Sequence, residues 1–292
     1  MKILVCSDGS AESGEAVAFA ALLRSPEEDA FTLLGVRADV GADPELLETL
    51  REQQRALRET GRSVDLITES GEPVGQIEDI AERERFDLVV VGGKRRGRRR
   101  MTTFGSSTHR IVRALLPPVL VVPEARTAVR RIVIAVGGVG QIERAVDVAG
   151  SLAAGIGARV TLLHVLSRPP VAYAPLVEQD VESEKPASRS DALSRLFSEL
   201  SDRLAERGVE TNVRFLFGPI VDGILRGARE TDADLLVVGT TPAGGELRRH
   251  LLGDLTRDFI DGAPCPVLLV RTGTSLWRKV YGDFKGTIGL SD

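Results

Sequence analysis

Short runs of Val, Leu and Ile alternate along the chain with longer segments in which apolar residues recur at helical spacing. Continuous apolar runs such as 88–91 are typical of strands that are buried on both faces between helices. The segment that starts at Ser190 carries apolar residues at i, i+3, i+4 and i+7, which predicts an amphipathic helix. Asp43 and Pro44 predict the start of another helix, and Gly61 predicts its end. This alternation predicts a parallel sheet.

The same series of elements occurs twice in the chain. Three pairs of segments match, at offsets that grow from 129 to 148: 2–9 with 131–138, 87–92 with 234–239, and 118–122 with 266–270. The growth predicts about 18 inserted residues in the second half, and the polar stretch 167–188 accommodates them as a loop or flap. We therefore predict two duplicated domains, 1–125 and 129–272, followed by a C-terminal tail over 273–292.

Each predicted domain reads β-α-β-α-β-α-β-α-β. Right-handed crossovers between parallel strands make such a unit a doubly wound sheet. The predicted fold class is therefore α/β, with two tandem Rossmann-like or flavodoxin-like domains, each a five-stranded parallel sheet with helices on both faces. Gly218 and Pro219 introduce one helix of the second domain, and we expect its residues Ile220, Ile224 and Leu225 to face inward.

The composition is that of a soluble globular protein. Of the 292 residues, 42% are hydrophobic and 27% are charged. No apolar run approaches the roughly 18 residues of a membrane span. The first strand begins too close to Met1 for a secretory signal, so we expect a cytoplasmic protein. Cys6 and Cys265 lie in opposite halves, outside any metal-ligand spacing, and we interpret both as buried thiols.

The charge is distributed unevenly along the chain. The net charge of −4 provides no general attraction for nucleic acid, yet residues 94–100 include six cations. These cations could screen a bound phosphate, form a solvated loop, or dock a nucleic acid or an acidic protein. We do not expect a nucleic-acid partner, because no aromatic residue is interleaved with the cations for base stacking.

Candidate binding residues follow the first and fourth strands of the first domain. In a doubly wound sheet, a ligand binds at the carboxyl ends of the strands where the winding direction reverses. Asp8 stands there on a tight turn and can accept hydrogen bonds from sugar hydroxyls. Gly92 and Gly105 allow a ligand to approach the backbone. Ser106 and Ser107 open a helix whose N-terminus favours a phosphate.

This pattern resembles that of the universal stress protein family, and the resemblance covers residues 1–124 and 129–272. The family's nucleotide-binding domains carry an Asp after the first strand and Gly-x-x-Gly, nine residues and Gly-Ser/Thr after the fourth. The matching positions are Asp8, Gly92, Gly105 and Ser106, with Val36 at the position whose backbone usually meets adenine. Arg95 replaces the second glycine, which places a guanidinium where the backbone normally meets phosphate.

The resemblance implies a cytoplasmic, stress-response regulatory protein that binds ATP or a related adenine nucleotide in its first domain. Asp8 would hold the ribose and the backbone of Val36 the adenine, whereas the phosphates would meet Gly92, Arg95, Gly105, Ser106 and Ser107. AMP and ADP are alternatives to ATP, and Mg²⁺ is a candidate companion of the phosphates. The alternative function is a scaffold of the same family that binds no nucleotide and regulates a protein partner.

An enzyme of the same fold is a third hypothesis. No nucleophile or general base with a supporting partner is evident in the sequence, so we expect slow ATP hydrolysis at most. The three histidines, His109, His164 and His250, show neither a catalytic-triad order nor a metal-ligand spacing. We interpret His164 as a structural residue and predict no catalytic or metal site.

The second half departs further from the family pattern. Gly137 replaces the turn carboxylate, Pro242 stands at the place of the second glycine, and Asp254 follows Gly253 where Ser or Thr is usual. A carboxylate at that helix N-terminus would repel a bound triphosphate. We therefore interpret the second domain as a degenerate copy that has kept the fold.

The two domains are expected to associate with each other. The resemblance implies an intrachain pseudo-dimer in which the fifth strands, 119–122 and 267–270, pair with one another, and a homodimer of the whole chain is a further prediction. The C-terminal tail contains Trp277, Tyr281 and Phe284, so we expect it to dock on its own domains or on a second subunit, with disorder as the alternative.

Overall fold

The computed structural model describes residues 1–26, 29–37, 44–93, 106–137, 142–166, 186–240 and 255–271. Within these ranges, the first domain alternates strands and helices in chain order. Its strands are β1 (Lys2–Ser7), β2 (Ala30–Arg37), β3 (Ser63–Ser70), β4 (Leu88–Gly92) and β5 (Val119–Val122). Its helices are α1 (Ala11–Ala20), α2 (Pro44–Arg58), α3 (Pro73–Glu84) and α4 (Ser106–Ala114).

The second domain repeats this order. Its strands are β6 (Arg131–Ala135), β7 (Arg159–Leu166), β8 (Thr211–Phe217), β9 (Leu235–Thr240) and β10 (Val267–Arg271). Its helices are α5 (Glu143–Ile156), α6 (Pro186–Ala205), α7 (Ile220–Glu230) and α8 (255–262). The predicted series of alternating strands and helices is therefore present in both halves.

All ten described strands form one sheet, in the order β3-β2-β1-β4-β5-β10-β9-β6-β7-β8. Within each domain the strands are parallel and follow the Rossmann order, with the first strand between the second and the fourth. The flavodoxin order is absent from the described strands. The domains join where β5 and β10 pair antiparallel, with Leu120 opposite Leu268. This pairing is the one that the resemblance implied for the fifth strands.

The core consists of two apolar layers, one on each face of the sheet. Helices α1, α2, α5 and α6 cover one face, and their buried residues include Phe19, Leu50, Leu152 and Leu200. Helices α3, α4, α7 and α8 cover the other face, with Ile80, Val112, Ile224 and Ile260 among the buried residues. Because each layer contains residues of both domains, the hydrophobic core is continuous across the β5–β10 seam.

Helix boundaries agree in part with the sequence patterns. Helix α2 begins at Pro44, and Gly61 follows its end with a φ of 82°, as predicted. Helix α6 begins at Pro186 rather than at Ser190, because a proline at the first position starts a helix whose first turn is polar. Asp43 lies outside the described residues, as do residues 167–185 of the predicted 167–188 insertion and the tail beyond Arg271, whereas 186–188 belong to α6.

The edge of the second domain differs from the predicted burial. Ile224 and Leu225 face the core, but Ile220 opens α7 and is 47% exposed. The edge strand β8 leaves Val213, Phe215 and Phe217 partly exposed, although the ring of Phe215 packs on Phe197 of α6. Among the described helices, none is both long enough and apolar enough to cross a membrane.

Candidate functional site

Three strands of the first domain end side by side at one edge of the sheet. In the parallel register, Ser7 of β1 pairs with Gly35 of β2, and Val5 of β1 pairs with Val90 of β4. Asp8, Val36 and Gly92 lie one or two residues beyond these pairs, at the carboxyl ends of their strands. The structure thus brings these three predicted site residues to one edge, where the winding direction reverses.

The turn after β1 is closed by the carboxylate of Asp8. Its Oδ1 accepts hydrogen bonds from Ser10 N at 3.0 Å and from Ser10 Oγ at 2.6 Å. Gly9 adopts a φ of 78°, a left-handed conformation that favours glycine. Burial raises the pKa of Asp8, but hydrogen bonds from Ser10 and Ser13 outweigh it and hold this pKa below its ordinary value of 3.8. Asp8 is therefore an exposed carboxylate that stays ionised at neutral pH.

A cluster of serine hydroxyls links this turn to α1. Ser7 Oγ lies 3.0 Å from Ser13 Oγ, and Gly9 N donates to Ser7 Oγ at 3.2 Å. Ser10 is the N-cap of α1, and its Oγ accepts from Ser13 N at 3.2 Å. The sequence patterns assigned no role to Ser7, Ser10 or Ser13. The spacing Asp-x-Ser, typical of a turn closed by its own side chain, was the available signal.

Gly92 has a packing role that the sequence did not reveal. A Cβ atom at this position would lie 2.5 Å from Glu12 O and 2.9 Å from Ser13 N. The first turn of α1 therefore passes directly over the end of β4, and only glycine leaves room for it. The group that approaches Gly92 closely is therefore the backbone of α1, whereas the sequence had predicted a ligand there.

The N-terminus of α4 lies beside the end of β4. Ser106 is the first residue of α4, Ser107 is exposed, and the buried Thr108 places its Oγ1 3.5 Å from Gly92 O. The free amide groups and the dipole of this helix end therefore stand at the same edge as Asp8. Arg95 and Gly105, and with them the whole cluster of cations, lie outside the described residues.

The corresponding edge of the second domain is built differently. Gly137 occupies the position of Asp8, and a Cβ there would meet no atom within 4 Å. His164 replaces Gly35, and its Nδ1 lies 2.7 Å from Val136 O at the end of β6. The buried His164 ring also packs edge to face on Phe197. His164 therefore has the structural role that was predicted for it, at a place where the first domain carries no side chain.

Several further residues of the described ranges carry titratable or metal-binding groups. Within the described ranges, no group of three or more His, Cys, Asp and Glu side chains could hold a metal ion. Cys6 and Cys265 are both buried, and burial raises the pKa of the Cys6 thiol to about 12. Both cysteines are thus the buried thiols that the sequence indicated.

The fold and the edge geometry define a tandem protein of two Rossmann-like α/β domains. A sequence model of the universal stress protein family matches residues 1–123 and again residues 128–271. The chain therefore belongs to the universal stress protein family, with two family domains in tandem.

Individual relatives agree with this assignment. The universal stress protein YxiE of Bacillus subtilis is 26% identical over 149 residues, which are 48% of this chain and 98% of that protein. A universal stress protein of Thermus aquaticus is 32% identical over 143 residues, which are 49% of this chain and 98% of that protein. The crystal structure of a universal stress protein from Archaeoglobus fulgidus has a TM-score of 0.64 at 16% identity and covers 93% of this chain and 98% of that chain. This last similarity shows the shared fold.

Proposed function

We propose that this universal stress protein is a cytoplasmic regulatory protein that binds ATP or a related adenine nucleotide in its first domain. The observation that carries the proposal is the meeting of Asp8, Val36 and Gly92 at one sheet edge, beside the N-terminus of α4. These positions match the nucleotide-binding pattern of the family. AMP and ADP fit the same recognition chemistry with fewer phosphates.

Each part of the nucleotide has a proposed partner. The ribose hydroxyls donate to Asp8, whose carboxylate is exposed and stays ionised at neutral pH. The adenine lies against the backbone at Val36. The phosphates lie at the N-terminus of α4, where Ser106 and Ser107 begin the helix, and the Arg95 guanidinium and Gly105 belong to the same phosphate site. Mg²⁺ would accompany the phosphates and offset part of their charge.

The second domain binds no nucleotide in this proposal. Gly137 provides no carboxylate for a ribose at the position that Asp8 holds in the first domain. The chain then holds one nucleotide, and binding acts by changing the shape of the protein or its affinity for a protein partner. We propose no catalysis beyond slow hydrolysis, because the Ser10 hydroxyl that donates to Asp8 also accepts from Ser13 N as the cap of α1 and is held in that structural role.

A scaffold that binds no nucleotide is the second candidate function. One observation favours it: Asp8 Oδ1 already accepts two hydrogen bonds from Ser10, so a ribose would find only part of this carboxylate's capacity. In that case the first domain would regulate a protein partner without a small-molecule signal.

Equilibrium dialysis of ATP against the full-length chain, first stripped of nucleotide, distinguishes the two functions. The test variant is Asp8→Asn. The matched control is Asp87→Asn, which makes the same change in charge at the opposite edge of the sheet. There Asp87 Oδ2 accepts a hydrogen bond from Lys2 N at 2.8 Å. We expect Asp8→Asn to weaken ATP binding about tenfold or more, and Asp87→Asn to leave it within about twofold. Absence of ATP binding in the unsubstituted chain would favour the scaffold.

A further inference from the structure

Two helices meet across the domain seam on one face of the sheet. Helix α4 of the first domain and α8 of the second both cover the face that contains Val112 and Ile260. His109 Nε2 of α4 lies 3.3 Å from Asp261 Oδ1 of α8. The other carboxylate oxygen of Asp261 lies 3.5 Å from Arg257 Nε, within α8. Asp261 is therefore shared between its own helix and α4.

A second contact holds the other end of α4. Arg271, the last residue of β10, donates from Nη2 to Val112 O at 3.2 Å and also to Arg113 O. These carbonyl groups belong to the last turn of α4, where the helix dipole favours a cation. Burial lowers the pKa of Arg271, while Glu78 of the first domain raises it, so this side chain reaches into the first domain. The second domain thus contacts α4 at both ends.

These contacts are not repeated by symmetry. The antiparallel pairing of β5 with β10 is centred on Leu120 and Leu268, so equivalent residues of the two domains lie 148 positions apart in this region. In a symmetric dimer each contact would occur twice. The equivalents of His109 and Asp261 are Arg257 and Arg113, two cations that cannot form an ion pair.

The contact of Arg271 is equally one-sided. Its equivalent is Pro123, which has no side-chain donor for the carbonyl groups of α8. Among the described residues, Arg271 therefore anchors the last turn of α4 with no equivalent contact on α8, whereas the His109–Asp261 contact joins the two helices to each other. The duplicated interface has become directional.

The helix that is held in this way is the one that ends at the candidate nucleotide site. Ser107 is exposed at its N-terminus, and Thr108 lies against the carbonyl group of Gly92. His109 is the next residue along the helix. A shift of α4 along its axis would therefore move the phosphate-binding end of the helix relative to Asp8.

We propose that the second domain, through Arg271 and Asp261, positions α4 and thereby sets the nucleotide affinity of the first-domain site. This inference rests on the proposed nucleotide site. Arg271 and Asp261 are positioning residues, because neither reaches the sheet edge where Asp8 lies. By linkage, nucleotide binding in the first domain strengthens the docking of the two domains to the same degree. The second domain then has a regulatory role, the positioning of α4, although it binds no nucleotide itself.

The test compares two arginines that cross the same seam. Arg271→Ala removes the contact with α4, and Arg271→Lys keeps the charge. Arg126→Ala is the matched control, because Arg126 Nη2 donates to Pro264 O at 2.7 Å across the seam without contacting α4. The readouts are ATP affinity by calorimetry on the stripped full-length chain and hydrogen exchange of residues 106–114 without nucleotide.

We expect Arg271→Ala to weaken ATP binding about fivefold or more and to speed exchange in α4, with partial rescue by Arg271→Lys. Arg126→Ala should leave both readouts near those of the unsubstituted chain. Equal effects of Arg271→Ala and Arg126→Ala would overturn the proposal, since general loosening of the domains would then explain them. If the unsubstituted chain binds no ATP, the proposed function fails, and unchanged exchange in α4 of Arg271→Ala overturns the positioning role separately.

Discussion

Single side chains decide the shape of the turn that carries Asp8. Ser10 caps α1 and also donates twice to the Asp8 carboxylate, so one residue supports both the helix start and the ionised state of Asp8. The residue types of this turn were evident from the sequence, but the hydrogen bonds between Ser10 and Asp8 were not. These hydrogen bonds depend on the left-handed conformation of Gly9, which the residue types alone do not determine.

The first prediction concerns the pH dependence of this turn. Because the folded-state pKa of Asp8 lies below its ordinary value of 3.8, its contribution to stability is present above pH 3.8 and is lost as pH falls through the folded-state pKa. Ser10→Ala should raise the pKa of Asp8 and lower the free energy of unfolding at neutral pH by about 1 kcal/mol through loss of the cap. Carboxyl NMR titration and urea unfolding measure the two effects. An unchanged pKa in the variant would contradict the assigned hydrogen bonds.

Elements were predicted well where a local pattern determines them. Continuous apolar runs indicated the strands, and Pro44 and Gly61 marked α2, because these signals act within a few residues. Two predictions were wrong: the start of α6 at Ser190 and the burial of Ile220. Neither a polar first turn nor the edge of a sheet produces a periodic hydrophobic pattern. The packing role of Gly92 could not be predicted from a local pattern either, because its close neighbour, the backbone of Glu12, is distant in sequence.

The second prediction tests the contact between β4 and α1. Gly92→Ala should lower the free energy of unfolding by about 1–3 kcal/mol, because the added methyl group meets backbone atoms that cannot rotate away. Gly137→Ala is the control at a strand end of the second domain, where a Cβ meets nothing within 4 Å. Denaturant unfolding of both variants gives the comparison. Equal stabilities of the two variants would show that α1 does not lie over β4 as described.

The two domains share their hydrophobic core, because two apolar layers continue across the seam. The pairing of the fifth strands followed from the resemblance, but the directional hold on α4 did not. It depends on side chains at positions 261 and 271, which carry no motif, and on a seam geometry that no local pattern encodes. Arg95 and Gly105 remain predictions from the family pattern.

The third prediction tests the packing of the two domains on the face opposite α4. A Cβ at Gly155 in α5 would lie 2.2 Å from Arg24 O of the first domain, whereas a Cβ at Gly14 in α1 has its nearest neighbour, Gln53 Nε2, at 3.9 Å. Both substitutions to Ala favour the helix by about 0.5–1 kcal/mol. Gly14→Ala should therefore raise the melting temperature, and Gly155→Ala should lower it. A rise in both variants would contradict the close approach of α5 to residues 24–25.

The account's central claim is one nucleotide site per chain, in the first domain. Calorimetric titration of ATP into the stripped full-length chain measures this number directly. The account predicts a stoichiometry near one ATP per chain, with the heat of binding abolished by Gly105→Glu, which adds a negative charge at the proposed phosphate site. Two ATP molecules per chain would show that the second domain has kept its site, and no heat at several temperatures would contradict a nucleotide function altogether.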